Sequence, residues 1–253
     1  MHQFPKPIVE TYHIEGDRDI HVVRDDLLEG GSKRRFIDRY IKEEVDKGCK
    51  EFVFGGCPAT GYAQMSLTLQ AKLYGAKSTF FMAERSLDRL HEYQKKALEY
   101  GANIKWVKMG MLNVTLSRAK KYYEEDPKTR RIFPLGLEHP YVIEDIVRLA
   151  KNMEIVYNIQ ISELWSVGSS GTLSRGLQQA FPDKDVNVVS VGHKMSEREI
   201  GRAKFYRSSY KFDKPVKKEE KPPFPSAPTY DAKAWSFILK HAKHNSLFWN
   251  VGK

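Results

Sequence analysis

Short runs of β-branched and aromatic residues alternate along the chain with stretches whose apolar positions recur at helical spacing. "KEFVFGG" (50–56) reads as a strand ending at a glycine pair, and "YAQMSLTLQAKLYG" (62–75) as a helix closed by Gly75. "KSTFFMA" (77–83) is a strand, "SLDRLHEYQKKALEYG" (86–101) a helix capped by Ser86 and stopped by Gly101, and "NIKWVKM" (103–109) another strand. "YVIEDIVRLAKNM" (141–153) is helical, and the strands "SELWSVG" (162–168) and "VNVVSVG" (186–192) flank the helix "LSRGLQQAF" (173–181). The spacing predicts an α/β fold with parallel-rich sheets. Residues 214–228, "KPVKKEEKPPFPSAP", interrupt the pattern with five prolines and a charge run and read as a loop or linker. "DAKAWSFILKHAKHNSLFWNVGK" (231–253) then reads as a helix and a short strand.

At 253 residues with 41% hydrophobic positions, the chain is long enough for one large or two small domains with a real core. No apolar run approaches the ~20 residues needed to span a bilayer. The start, "MHQFPKPIVETYHIEG", lacks the apolar stretch of a signal peptide, so a cytoplasmic protein is expected. Cys49 and Cys57 form no disulfide framework and read as buried thiols. The net charge of +10 makes polyanions, nucleic acid above all, candidate partners.

Three stretches carry candidate chemistry. "RDDLLEGGSKRR" (24–35) sets Lys33 after a Gly-Gly turn and before the helix-like run "RRFIDRYIKEEV". "GGCPATGYAQ" (55–64) and "SVGSSGTLSRGL" (166–177) are strand-to-helix turns of small residues. In the second, the N–H groups of Gly168, Ser169, Ser170, Gly171 and Thr172 can converge on a phosphate at a helix start, although such a segment also serves simply as a turn. His241 and His244 could share a helix face, but no further metal-ligand set accompanies them, and no metal site is expected.

Taken together, these stretches resemble the fold-type II pyridoxal-phosphate enzymes (the tryptophan synthase β-like group), in particular the branch of aminocyclopropane-carboxylate deaminase and D-cysteine desulfhydrase. "RDDLLEGGSK" is similar to the family's "REDLLPGGNK", "GGCPATGYAQ" to "GGIQSNHxRQ", and "SVGSSGTLSRGL" to "ATGSGGTxxGL". Near the C-terminus, "PTYDAKA" (228–234) and "LFWNVGK" (247–253) match "PVYTGKA" and "LFIHTGG". The five matches run in family order from residue 24 to the end. The resemblance implies pyridoxal 5'-phosphate as cofactor, lying in a cleft between two α/β domains. The smaller would span 48–133, inserted in a larger cofactor-binding domain made of 1–47 and 134–253. It further implies a homodimer.

Residue by residue, the resemblance puts the cofactor-bearing lysine at Lys33 and the phosphate on Gly168, Ser169, Ser170, Gly171 and Thr172, with Thr60 on the facing turn. Asp231 falls where the deaminases carry a glutamate facing the pyridine nitrogen, and Tyr230 falls on the family's acid/base tyrosine. The catalytic set is then Lys33, Tyr230 and Asp231. Two departures matter. Ala59 stands where the deaminase branch has a serine, and Thr60 where it has an asparagine, which puts ring-opening deamination and desulfhydration in doubt.

Residues 198–221 hold nine Lys/Arg against four Asp/Glu, half of the chain's net charge, with Phe205, Tyr206, Tyr210 and Phe212 among them. Basic side chains interleaved with aromatics suit phosphate contact and base stacking, which nominates Arg202, Lys204, Arg207 and Lys211 as nucleic-acid contacts; a solvated loop with core aromatics has the same pattern. Phage DNA-hypermodification enzymes of this family decarboxylate amino-acid groups attached to thymidine. The resemblance and the charge therefore lead to a lyase that breaks a bond at Cα of an amino acid carried on DNA, decarboxylation above elimination, acting in the host cytoplasm if phage-encoded. A deaminase or desulfhydrase of a small free amino acid is the alternative, and a non-catalytic binding protein of the same fold the third.

Overall fold

A computed structural model describes residues 4–192 and 194–253. In chain order its elements are β1 (Val9–Ile14), β2 (Arg18–Arg24), α1 (Gly31–Asp46), β3 (Glu51–Gly55), α2 (Ala63–Leu73), β4 (Lys77–Ala83), α3 (Glu92–Glu99), β5 (Asn103–Val107), α4 (Leu112–Glu124) and β6 (Arg130–Phe133). There follow α5 (Pro140–Ala150), α6 (Met153–Tyr157), β7 (Glu163–Gly168), α7 (Thr172–Ala180), β8 (Asp185–Ser190), α8 (Glu197–Ile200), β9 (Lys204–Arg207), α9 (Trp235–His241) and β10 (Ser246–Asn250). The α/β class and the parallel sheets expected from the sequence are what the chain forms.

The chain divides into two compact units. One spans Lys33–Val142; the other joins Phe4–Ser32 to Ile143–Lys253. The boundaries lie at 32/33 and 142/143, not at the 47/48 and 133/134 expected from sequence, because α1 belongs with the first unit through its side chains. Asp38 accepts from the Tyr74 hydroxyl at 2.6 Å and from the Gln70 amide, and Glu44 pairs with Arg131 on β6.

The Lys33–Val142 unit carries a four-stranded sheet of order β5-β4-β3-β6, parallel throughout. β3 and β4 are buried on both faces, as parallel strands covered by helices should be, with the apolar runs Phe52–Phe54 and Phe80–Ala83 at their centres. α4 lies close on β3. A Cβ on Gly55 would stand 2.8 Å from the Ala119 Cβ, so only glycine admits the helix there. Val53, Phe81 and Ala119 form the core beneath it.

The other unit carries a six-stranded sheet of order β1-β2-β10-β7-β8-β9, parallel except for the β1–β2 hairpin. Its core gathers Val22, Trp165, Val189, Trp235 and Phe248. α7 packs on α5 at Gly176, where an added Cβ would lie 2.4 Å from Ile146.

Seven elements escaped the sequence reading: β1, β2, α4, β6, α6, α8 and β9. One helix is shorter than expected. Residues 87–89 form a single 3-10 turn and α3 starts at Glu92, capped by His91 and not by Ser86. The His91 ring accepts from the Tyr93 N–H and the Gln94 side chain accepts from the His91 N–H, so two of the free donors at the helix start are met.

Candidate functional site

In the Lys33–Val142 unit, Lys33 is half-buried in the first turn of α1. The two residues before that turn's serine, Gly30 and Gly31, both have left-handed backbones (φ 86° and 67°), which explains the Gly-Gly pair. Near the lysine in this unit lies the 55–62 turn. The Lys33 ammonium acts electrostatically on the buried thiol of Cys57, which burial nevertheless pushes up to about 12. Cys49 is buried too, so both thiols are free and interior as expected. Gln64, inside α2, donates from its amide to the carbonyls of Ala59 and Gly61 at 2.9 Å each, fixing the turn that presents Ala59 and the half-buried Thr60.

The other unit holds Asp25, which is fully buried. It accepts from the Ser32 hydroxyl at 2.8 Å and from the Trp249 indole at 3.1 Å. Asp26 pairs with Arg24 and accepts from the Asn250 amide. Asn250 in turn accepts from Ser226 and donates to the Pro225 carbonyl. The aspartate pair of "RDDLLEGGSK" is thus a pair of buried anchors that tie the turn before Lys33 to the end of β10, and β10 to the loop leading to Tyr230. Sequence reasoning assigned these aspartates no role, although two adjacent acids ahead of an apolar pair were a visible signal.

At the carboxyl end of β7, residues 168–172 turn sharply into α7. Gly171 takes φ 69°, and a Cβ there would lie 2.0 Å from the Glu199 carbonyl oxygen. Ser170 and Thr172 bring their hydroxyls within 3.2 Å of each other, and the Arg175 guanidinium donates to the Ser170 carbonyl. The Ser169 N–H donates to the Tyr230 hydroxyl, so the structure brings the expected phosphate turn and the expected acid/base tyrosine together. Burial first, and the Asp231 carboxylate second, push the Tyr230 phenol well above its ordinary range. Asp231 itself is 0% exposed.

The basic segment is more structural than its composition indicated. The Arg202 guanidinium donates to the carbonyls of Lys184, Gln178 and Phe181, closing the C-terminus of α7. Tyr206 stacks on Trp165 and His241, and Phe212 packs on the core. Lys204 and Arg207 lie on the edge strand β9, and the Lys211 carbonyl accepts from Lys233. Lys233 was missed altogether. It is 2% exposed, donates to the Lys211 and Phe212 carbonyls, and burial lowers its amine to about 8. His244 accepts from the Asp19 N–H. No group of residues able to hold a metal occurs among the described residues, nor is any described helix long and apolar enough to cross a membrane.

The donor set suits pyridoxal phosphate. Hydroxyls and N–H groups at the start of a nine-residue helix suit a phosphate dianion, a lysine suits an aldehyde carbon, and a buried carboxylate suits a ring nitrogen that must keep its proton.

No family model matches the chain. A curated relative, the glycyl-dTMP PLP-dependent decarboxylase of Pseudomonas phage M6, is 27% identical over 97% of this chain and 98% of its own length. A solved ACC deaminase homologue superposes with a TM-score of 0.81 at 15% identity, covering 98% of this chain and 89% of that one. Escherichia coli diaminopropionate ammonia lyase in its apo form gives 0.67 at 10% identity, covering 100% and 84%. The resemblance and the fold expected from the motifs, those of fold-type II pyridoxal-phosphate enzymes, are borne out by these relatives.

Proposed function

We propose that this protein is a pyridoxal-phosphate-dependent lyase that removes carbon dioxide from an amino-acid group attached to a thymidine nucleotide, most favourably one within DNA. The observation that carries the reading is the full-length match to a phage decarboxylase of glycyl-dTMP, in a chain that keeps the lysine, phosphate-turn and Tyr-Asp motifs in order. The net charge of +10 supports a polyanionic substrate.

Lys33 holds the cofactor through its amine. Ser169, Ser170, Gly171 and Thr172 hold the phosphate with hydroxyls and helix-start N–H groups, and Thr60 contributes from its own turn. Bound pyridoxal phosphate supplies the electron sink for the pair left at Cα when the carboxylate departs. Asp231 keeps a proton on the ring nitrogen. Tyr230, held neutral by burial and by the charge of Asp231, keeps its phenolic proton and delivers one to Cα. Lys204, Arg207 and Lys211 supply phosphate contacts; Arg202 does so only with donors not already closing α7. A homodimer is part of this reading.

The second reading, deamination or desulfhydration of a small free amino acid, draws support from the fold of the two solved neighbours. Ala59 in place of a hydroxyl-bearing side chain speaks against it. Carbon dioxide and ammonia release should be measured with glycyl-modified duplex DNA, the corresponding nucleotide, free glycine, 1-aminocyclopropane-carboxylate and D-cysteine. Carbon dioxide from the nucleotide forms, falling steeply with salt for DNA, is the expected result. Ammonia from a free amino acid, insensitive to salt, would replace this reading with the second. Borohydride reduction should fix the cofactor on Lys33 and leave Lys33→Ala unlabelled.

A further inference from the structure

A base attached to the reacting amino acid by a few bonds has to rest close to the lysine turn and its partner turn. Resting on the substrate reading above, we infer that Met109, Met111 and Leu112 form the platform that receives the thymine ring. In the sheet order β5-β4-β3-β6 the chain moves from β3 outward to β4 and β5, then crosses back through α4 to β6 on the far side of β3. That reversal is a topological switch point, and in α/β sheets ligands lie outside the carboxyl ends of the strands there. The entry to α4, Lys108–Leu112, follows the carboxyl end of β5 and reaches the carboxyl end of β3.

This entry carries apolar side chains in water: Met109 is 64% exposed, Met111 55% and Leu112 43%. Their position does not come from their own burial. The backbone holds them, because Gly110 sits so close to β4 that an added Cβ would be 2.1 Å from the Ala83 Cβ. The platform is also continuous with the lysine environment. The Leu112 Cδ1 lies 2.6 Å from where a Gly56 Cβ would stand, and the next residue, Cys57, is the one on which the Lys33 charge acts.

The chemistry of the patch fits a nucleotide. Methionine thioethers are polarizable and pack well on aromatic rings. Exposed Lys108 within the entry, and exposed Arg85 just after β4, offer cations to a phosphate. A free amino acid would touch none of this.

The test uses the full chain labelled at the methionine methyls and titrated with dTMP. The Met109 and Met111 resonances, assigned by Met109→Leu and Met111→Leu, should shift as the ring stacks on them. The double variant Met109→Gln/Met111→Gln should raise KM for the glycyl-nucleotide by about tenfold, the scale of a lost apolar contact, with kcat unmoved. Two methyls that stay fixed while dTMP binds, or a fall in kcat with KM unmoved, would overturn the inference. So would a change in light-scattering mass of the double variant without loss of dTMP affinity, which would make the patch a contact between copies. Methyl shifts need no turnover. Shifts without decarboxylation would therefore strike the reaction assignment and leave the platform standing.

Discussion

The Ser169 N–H donates to the Tyr230 hydroxyl, joining the turn at the end of β7 to the acid beside Asp231. A phenol that accepts from a backbone donor has its oxygen fixed and its proton directed. Because its pKa is raised, Tyr230 stays protonated beyond the ordinary tyrosine range, so kcat should hold to high pH without the loss a normal phenol would cause. Tyr230→Phe is expected to retain the cofactor and slow decarboxylation by roughly 10²-fold across that flat range. The pH dependence of kcat in the two proteins checks this.

Asp231→Asn should also keep bound cofactor. It removes the charge that holds the ring-nitrogen proton, so turnover should fall by roughly 10²-fold or more. The cofactor's absorption spectrum, compared between the two proteins, reports the change in protonation directly. A near-native rate would exclude the role.

Gly171→Val strikes the phosphate turn. The left-handed backbone and the Glu199 carbonyl 2.0 Å from the new Cβ both resist it; the Arg175 guanidinium at 3.0 Å can swing aside, but the Glu199 contact is with backbone and cannot. A loss of about 1–3 kcal/mol in unfolding free energy is expected, with cofactor affinity reduced more than the rate of the loaded fraction. Denaturation and cofactor titration separate the two effects.

Lys233 gives a stability that rises with pH, although its group is a base. Burial lowers its amine to about 8 from 10.5, against a weaker upward pull from Asp213. Between those values the unfolded chain binds the proton more readily, so stability should rise with pH across about 8 to 10.5, by at most about 3 kcal/mol, and be flat in this term below 8. Lys233→Met should abolish the rise, as measured by urea unfolding at a series of pH values.

How much of this was legible follows from where each signal resides. Strands such as Glu51–Gly55 and Glu163–Gly168 announce themselves because both faces are buried and glycine ends them. β6, "RRIF", reads as polar because its arginines are matched elsewhere in the chain, Arg130 with Glu51 and Arg131 with Glu44. β1 hides for a different reason: as an edge strand it fully buries none of its six residues. Lys33, Gly171 and Tyr230 were readable through motif order. The Ser169–Tyr230 hydrogen bond, the Arg202 closure of α7 and the buried amine of Lys233 join residues 18 or more apart, and local pattern carries no trace of them.

The position of β10 bears on how the molecule is made. It lies between β2 and β7 and pairs in parallel with both, yet it comes later in the chain than every other strand of its sheet. On the ribosome the β1–β2 hairpin emerges first and must wait, one flank unpaired, while β7, β8 and β9 assemble as a separate ribbon. Only when residues 246–250 clear the exit tunnel can the two pieces be stitched into one sheet, and with them the Asp25 and Asp26 anchors engaged by Trp249 and Asn250. The four strands of the Lys33–Val142 unit are contiguous and complete their sheet much sooner. Synthesis therefore leaves a long interval in which open strand flanks are exposed, the state in which nascent chains aggregate or recruit chaperones.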